Sequence, residues 1–375
     1  MKVALVYDRI NKWGGAERLL LGLHSIFPDA PLYTLVYDKS KAAWAKVFPK
    51  VYTSFLQHLP FAKSAHEFFP WLAPIAFETF DFRHYDLVIT LTSAEAKGII
   101  TGPNTIHLCY CLTPTRYLWH DYFLYLKNPG FGSFDPIIRL IIPLFAFQMR
   151  QIDQISATKP DHYFAISQEV RKRIIKYYRQ NDAEIIYPFV DTNLFNISRY
   201  PISVPKENDF FLIVSRFVGY KNIDLPIRVF NKLGKRLFII GCGNQEKYLR
   251  KISNSNITFL GELTDEELVS YYQNCRALIF SGNEDFGLSS LEVQACGKPV
   301  VAFAKGGALE TVVNNQTGIF FFEKTENGLM RAIEKLERTK FNPDICRRNA
   351  LRFSLKKFQS KFKEMVLEYE KKFRH

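Results

Sequence analysis

The sequence predicts an α/β protein of two doubly wound, Rossmann-like domains, and three observations lead there. Short, nearly continuous apolar runs alternate with helical patterns along the whole chain. Runs apolar at successive positions suit strands buried on both faces, as in parallel sheets covered by helices. The alternation lapses between Val190 and Asn208, where Pro201, Pro205 and several Asn and Ser residues read as a linker. Beyond the second set of strands, Phe358, Phe362, Met365, Val366 and Tyr369 recur at helical spacing among lysines and glutamates, which predicts a closing amphipathic helix.

The runs expected as strands are 2–7, 32–37, 86–91, 106–111, 163–166 and 184–187 in the first half. In the second half they are 210–215, 236–240, 257–260, 277–281, 299–303 and 319–322. The expected organisation is a first domain over 1–192, a linker over 193–208, a second domain over 209–355 and a terminal helix over 356–375. A ligand site in a cleft between two such domains is the default expectation.

Composition narrows the function. Lys and Arg number 50 against 37 Asp and Glu, a formal charge of +13 that suits phosphorylated ligands or an anionic membrane. No long basic arm is present, and the cluster Arg171, Arg173, Lys176 and Arg179 reads as a solvated helix face. Nucleic acid is therefore not an expected partner. The six cysteines lie mostly in apolar runs without zinc-site spacing, so a reducing compartment and no metal site are expected. The opening run Val3 to Tyr7 stops at Asp8, unlike a signal peptide, and the greasiest stretch, 137–147, is interrupted by Arg139 and Pro143. No run approaches the roughly 20 apolar residues that span a bilayer.

The most informative stretch follows the expected strand at 277–281. It reads Ser281-Gly-Asn-Glu284-Asp285-Phe286-Gly287-Leu288-Ser289-Ser-Leu-Glu292, and Gly297-Lys-Pro-Val-Val and Lys305-Gly306-Gly307 come after it. Glycines and acids end the strand, and Ser289 or Ser290 is the expected cap of a new helix. Amides at a helix start attract anions, and Glu292 would stand about 6 Å along the axis from Leu288 at ~1.5 Å per residue. A hydroxyl-accepting carboxylate beside a phosphate cradle suits a nucleotide diphosphate sugar.

This stretch resembles the signature of family 4 glycosyltransferases, retaining enzymes of GT-B fold. The resemblance implies that Glu292 holds the ribose and Glu284 the donor sugar. Asp285, Phe286, Gly287, Leu288 and Ser289 would form the amide cradle. It extends to Arg216 and Lys221 after the strand run 210–215, where the family places cations on the diphosphate. Charge that grows on a departing diphosphate is met selectively by such cations. Gly14 and Gly15, in a Gly-Gly-Ala-Glu loop after the first strand, are similar to the family's loop near the donor phosphates. Gly261, Glu262 and Leu263 resemble the turn that meets the nucleobase. Thr113, Arg116 and Tyr117 match a subgroup's acceptor side. Two departures stand out: Leu112 takes the place of a customary histidine, with His107 and His120 nearby in sequence, and Ile166 that of an asparagine.

The resemblance further implies that the terminal helix crosses back to the first domain. The implied activity is retaining transfer of a hexose, foremost mannose from GDP-mannose with a UDP-linked donor also open, to a polysaccharide or lipid-linked oligosaccharide. No metal or other cofactor is expected. Aromatic residues and lysines between Lys39 and Phe80, and the greasy stretch from Tyr122 to Phe147, suit peripheral contact with an anionic membrane, on the inner face of the cytoplasmic membrane. Two rival readings are a nucleotide-sugar epimerase on the same fold and a weakly catalytic nucleotide-sugar-binding subunit.

Overall fold

A computed structural model describes residues 1–60, 71–127, 135–198 and 209–374. The chain forms two compact units, one of Met1–Tyr187 with Gln359–His375 and the other of Pro188–Phe358.

The first unit holds a seven-stranded sheet of β1 (Val3–Tyr7), β2 (Leu32–Thr34), β3 (Val51–Thr53), β4 (Leu87–Thr92), β5 (Ile106–Cys111), β6 (His162–Ala165) and β7 (Glu184–Ile185), in the order β3-β2-β1-β4-β5-β6-β7. Neighbours pair in parallel, with Leu5 beside Leu32 and Ile89. β4 and β5 are buried at every position, as near-continuous apolar runs require. Short β3, half exposed at the sheet edge, was not expected, because three residues carry no readable period. Between β1 and β2 the helix Gly15–Ile26 buries Leu19, Leu20, Leu23 and Ile26.

The second unit repeats the topology with six strands: β8 (Phe211–Val214), β9 (Leu237–Ile240), β10 (Ile257–Gly261), β11 (Ala277–Phe280), β12 (Val300–Phe303) and β13 (Gly318–Phe321), ordered β10-β9-β8-β11-β12-β13. Its core joins Phe211, Ile213, Phe230, Ile239, Ile279 and Ile333. In each sheet the chain order reverses once, between β1 and β4 and between β8 and β11. Ligands of open α/β sheets bind at the carboxyl ends of the strands flanking such a reversal.

The closing helix, Leu355–Arg374, packs its later turns within the first unit. Phe362 lies 5.7 Å from the Tyr110 ring and 5.9 Å from the Phe164 ring. Tyr369 Oη bonds both His162 Nε2 at 2.9 Å and Glu184 Oε1 at 2.8 Å.

Several local expectations are corrected. The units divide at 187/188 and 358/359, whereas the sequence boundaries fall at 192/193 and 355/356. Phe195, fully buried against Tyr272, shows that 193–198 pack within the second unit; Pro201 and Pro205 lie outside the described residues. The stretch at 137–147 belongs to one helix, Asp135–Ser156, which continues through Pro143. Arg173 is buried rather than solvated, between Glu169 and Thr113. Phe48 is buried, Phe55 and Trp71 are exposed, and Phe61, Lys63, Phe68 and Phe69 lie outside the described residues.

Candidate functional site

In the second unit, the carboxyl ends of β8 and β11 deliver the expected donor residues together. After β8 a single helical turn, Gly219–Lys221, presents Lys221, whose Nζ lies 2.5 Å from Glu284 Oε2 in the loop after β11. Both side chains are largely sheltered, at 14% and 16% exposure. Arg216 Nη2 donates to Tyr220 Oη at 3.0 Å, and Lys221 lies over the Tyr220 ring at 5.4 Å. Ser281 ties the loops by donating to the Lys221 and Asn222 carbonyls.

The helix after β11 runs Leu288–Ala295, and its N-cap is Gly287 at φ 90°. A side chain at Gly287 would be strained there and would meet the Phe280 ring at 2.5 Å. The expected serine cap is thereby corrected: Ser290 turns back to donate to the Gly287 carbonyl and Thr311 Oγ1, while Ser289 lies within the helix. Short side chains at these positions still leave the first-turn amides at the strand end.

Loop 305–307 closes the far side. Gly307 N donates to the Glu284 carbonyl at 2.9 Å, and a Cβ on Gly307 would stand 2.2 Å from Phe286 Cα. The two loops thus approach backbone to backbone. Asn283 Oδ1 is buried beside Gly306 with no hydrogen-bond partner. The Phe286 side chain is buried against Phe353, so only its backbone faces the loop surface available to a ligand.

Glu292 is 8% exposed, and its Oε2 accepts from Tyr272 Oη at 2.8 Å. Gly261, Glu262 and Leu263 lie at and beyond the end of β10, beside the Gly241–Gly243 turn. Gly241 N bonds the Gly261 carbonyl at 2.7 Å, and Cys242 Sγ donates to Glu262 Oε1 at 3.0 Å. That hydrogen bond to a carboxylate, aided by burial, pushes the Cys242 thiol up to about 11.

A cavity of about 530 Å³, lined by Asp209, Lys235, Arg236, Thr258, Arg276 and Glu337, sits at the opposite, amino ends of β8 to β11. Its charges are mutually paired, Arg236 with Asp209 and Lys235 with Glu337. Strand polarity argues against it as the donor site.

The first unit places Gly14 and Gly15 at the end of β1, where Gly14 caps the helix Gly15–Ile26. Buried Glu17, in the first turn of that helix, accepts from Tyr7 Oη at 2.6 Å. At the end of β4, Asp8 accepts from Thr92 Oγ1, Ser93 N and Ala96 N. The acceptor-side candidates follow β5. Thr113 Oγ1 accepts from Arg173, Arg116 pairs with Asp121 at 2.8 Å, and Tyr117 Oη donates to Glu95 Oε1 at 2.7 Å. Burial raises the carboxyl of Glu95 and the phenol of Tyr117. His107 sits fully buried within β5 and is kept neutral, its pKa lowered to about 3 by burial, so it does not replace the histidine absent at Leu112. His120 lies beyond, 3.7 Å from Asp121.

Sequence reasoning missed Tyr272 and the buried Lys97–Asp153 pair, since no local pattern marks them. Cys242 did carry a signal, a cysteine between two glycines just past a strand. Among the described residues, no group of three or more His, Cys, Asp or Glu side chains is placed to hold a metal ion.

Residues 196–353 match the family model described as Glycosyl transferases group 1. The matched residues lie within the second unit. They contain every donor-side candidate except Gly14 and Gly15. An uncharacterized glycosyltransferase of Methanocaldococcus jannaschii is 28% identical over 193 residues, 50% of this chain and 52% of that protein. The alpha-1,3/1,6-mannosyltransferase ALG2 of Dictyostelium discoideum is 24% identical over 367 residues, 81% of this chain and 82% of that protein. The chain spans 52%, 53% and 62% of the lengths of three archaeal relatives that it matches. A crystal structure of HepE from Anabaena in complex with UDP and glucose matches over 98% of this chain and 100% of that one, with TM-score 0.69 and 19% identity. That likeness shows the fold, two Rossmann-like domains of GT-B type.

Proposed function

We propose that the chain is a retaining, metal-independent hexosyltransferase of family 4 type, which moves mannose from GDP-mannose to a lipid-linked or polysaccharide acceptor in the assembly of a cell-surface glycan. It works peripherally on the inner face of the cytoplasmic membrane. The observation that carries this reading is the convergence of Arg216, Lys221 and Glu284 at the β8/β11 reversal beside the helix start at Leu288. The likeness to a mannosyltransferase supports the choice of sugar.

In this reading the first-turn amides, Arg216 and Lys221 take the diphosphate, and Lys221 exchanges Glu284 for phosphate oxygen as donor enters. Glu284 then accepts from a hexose hydroxyl, and Glu292, held by Tyr272, accepts from the ribose. The bond from the anomeric carbon to the β-phosphate oxygen breaks, and the acceptor oxygen bonds that carbon on the same face. The acceptor proton passes to the leaving phosphate. Cations on the diphosphate favour the transition state over the bound donor, because negative charge grows there.

The test is turnover across GDP-, UDP-, ADP- and TDP-linked hexoses, with and without acceptor. Nucleoside diphosphate released only with acceptor, and fastest from GDP-mannose, is the expected result. Nucleotide binding without turnover on any donor would overturn it.

A further inference from the structure

We propose that the helix Asp135–Ser156 is an in-plane anchor for anionic bilayers and that it holds the loop at 113–119 at the lipid surface. The anchor stands on the geometry of the first unit alone; delivery of a lipid-linked acceptor to that loop rests on the function proposed above.

The helix has 22 residues. At ~100° per residue, Ile137, Leu140, Ile141, Leu144, Phe145 and Phe147 fall on one side. They are solvent-exposed, Leu140 at 79% and Leu144 at 74%. Trp71, itself exposed, stacks on Phe145 with ring centroids 6.1 Å apart. Proteins that stay free in solution rarely leave so continuous an apolar strip in water. No charged residue lies on that side: at the same spacing Arg139, Arg150 and Asp153 fall on the opposite side, where Asp153 is buried, and Asp135 is in the first turn. An exposed apolar strip edged by Trp71, in a chain of charge +13, matches an anionic lipid surface better than a protein partner. Among the described residues no helix is long and apolar enough to cross a membrane, so this one lies in the plane of the headgroups.

Its inner side is bolted to the acceptor-side loop. Asp153 accepts from Lys97 Nζ at 2.5 Å, Thr115 Oγ1 at 2.8 Å and Trp119 Nε1 at 2.7 Å. Arg150 Nε donates to the Leu118 carbonyl at 2.7 Å, and its guanidinium lies over the Tyr122 ring. A helix seated in the headgroups therefore sets the height of Arg116 and Tyr117 over the bilayer.

Sedimentation of the full chain with vesicles tests the anchor. Wild type is expected to bind phosphatidylcholine vesicles containing about a quarter phosphatidylglycerol, and to bind pure phosphatidylcholine more weakly. Leu140→Gln/Leu144→Gln should lose about tenfold or more in partition at an unchanged melting temperature. Phe322→Gln, which removes an exposed phenyl of the second unit, should bind as wild type does. Equal binding by wild type and the double variant, or equal loss in Phe322→Gln, would overturn the anchor. For the loop, the double variant should lose kcat/KM on a bilayer-embedded acceptor and keep it on a short-chain, water-soluble one. Equal loss on both would overturn the coupling. Absence of turnover on either acceptor would sink the proposed activity, and the vesicle result would still decide the anchor.

Discussion

The two chain-order reversals of this molecule are built by different means. At β8/β11 the candidate site is mostly backbone: a glycine cap at 287, a glycine approach at 307 and helix amides, with Lys221 and Glu284 placed by two short loops. At β1/β4 and the neighbouring end of β5 it is a side-chain lattice, with Asp8, Glu95, Lys97 and Asp153 all buried and hydrogen-bonded. A backbone site leaves a contiguous record of glycines and acids in the chain. A lattice joins residues far apart in sequence, as Lys97 and Asp153 are, and leaves no such record. The first kind is tuned through loop geometry and the second through electrostatic balance.

Breaking the lattice should have the largest effect. Lys97→Met leaves Asp153 buried without its cation and should cost about 3–5 kcal/mol, read as a fall in urea midpoint at constant slope. Partial recovery is expected in Lys97→Met/Asp153→Asn. A loss below about 1 kcal/mol would mean that the pair is dispensable. Next comes Gly307→Ala, whose methyl must displace Phe286. It should cost about 1–3 kcal/mol and abolish stabilisation by GDP, whereas the same change at exposed Gly234 should not touch binding. Tyr272→Phe removes one hydrogen bond from Glu292 and should weaken nucleotide affinity by about 1 kcal/mol, roughly fivefold, by titration calorimetry. The smallest effect concerns Cys242. With its pKa raised to about 11, the thiolate is scarce near neutral pH, so alkylation should accelerate about tenfold per pH unit up to that value. Glu262→Gln removes the hydrogen-bonded carboxylate and should speed alkylation at pH 8; an unchanged rate would show that the Cys242–Glu262 contact is absent in solution.

The same contrast explains what was legible in the sequence. Each of the twelve runs expected as a strand overlaps one, because buried parallel strands are apolar throughout. Among the described residues only the edge strand Val51–Thr53 escaped. Glu284 and Lys221 were both singled out, and the structure brings them into contact. The cap was misread because serine is the commoner N-cap, whereas the Phe280 ring admits only glycine at 287. Arg173 was misread because helical spacing on a charged stretch says nothing of Thr113, 60 residues away in sequence, which accepts its hydrogen bond.

The sharpest measurement is calorimetric titration of GDP into wild type and into Arg216→Ala/Lys221→Ala. Two charge-assisted contacts worth roughly 1.5–3 kcal/mol each predict a loss of at least about a hundredfold for the double variant. Identical affinities in the two proteins would place the diphosphate elsewhere and contradict the assignment of the β8/β11 reversal as the donor site.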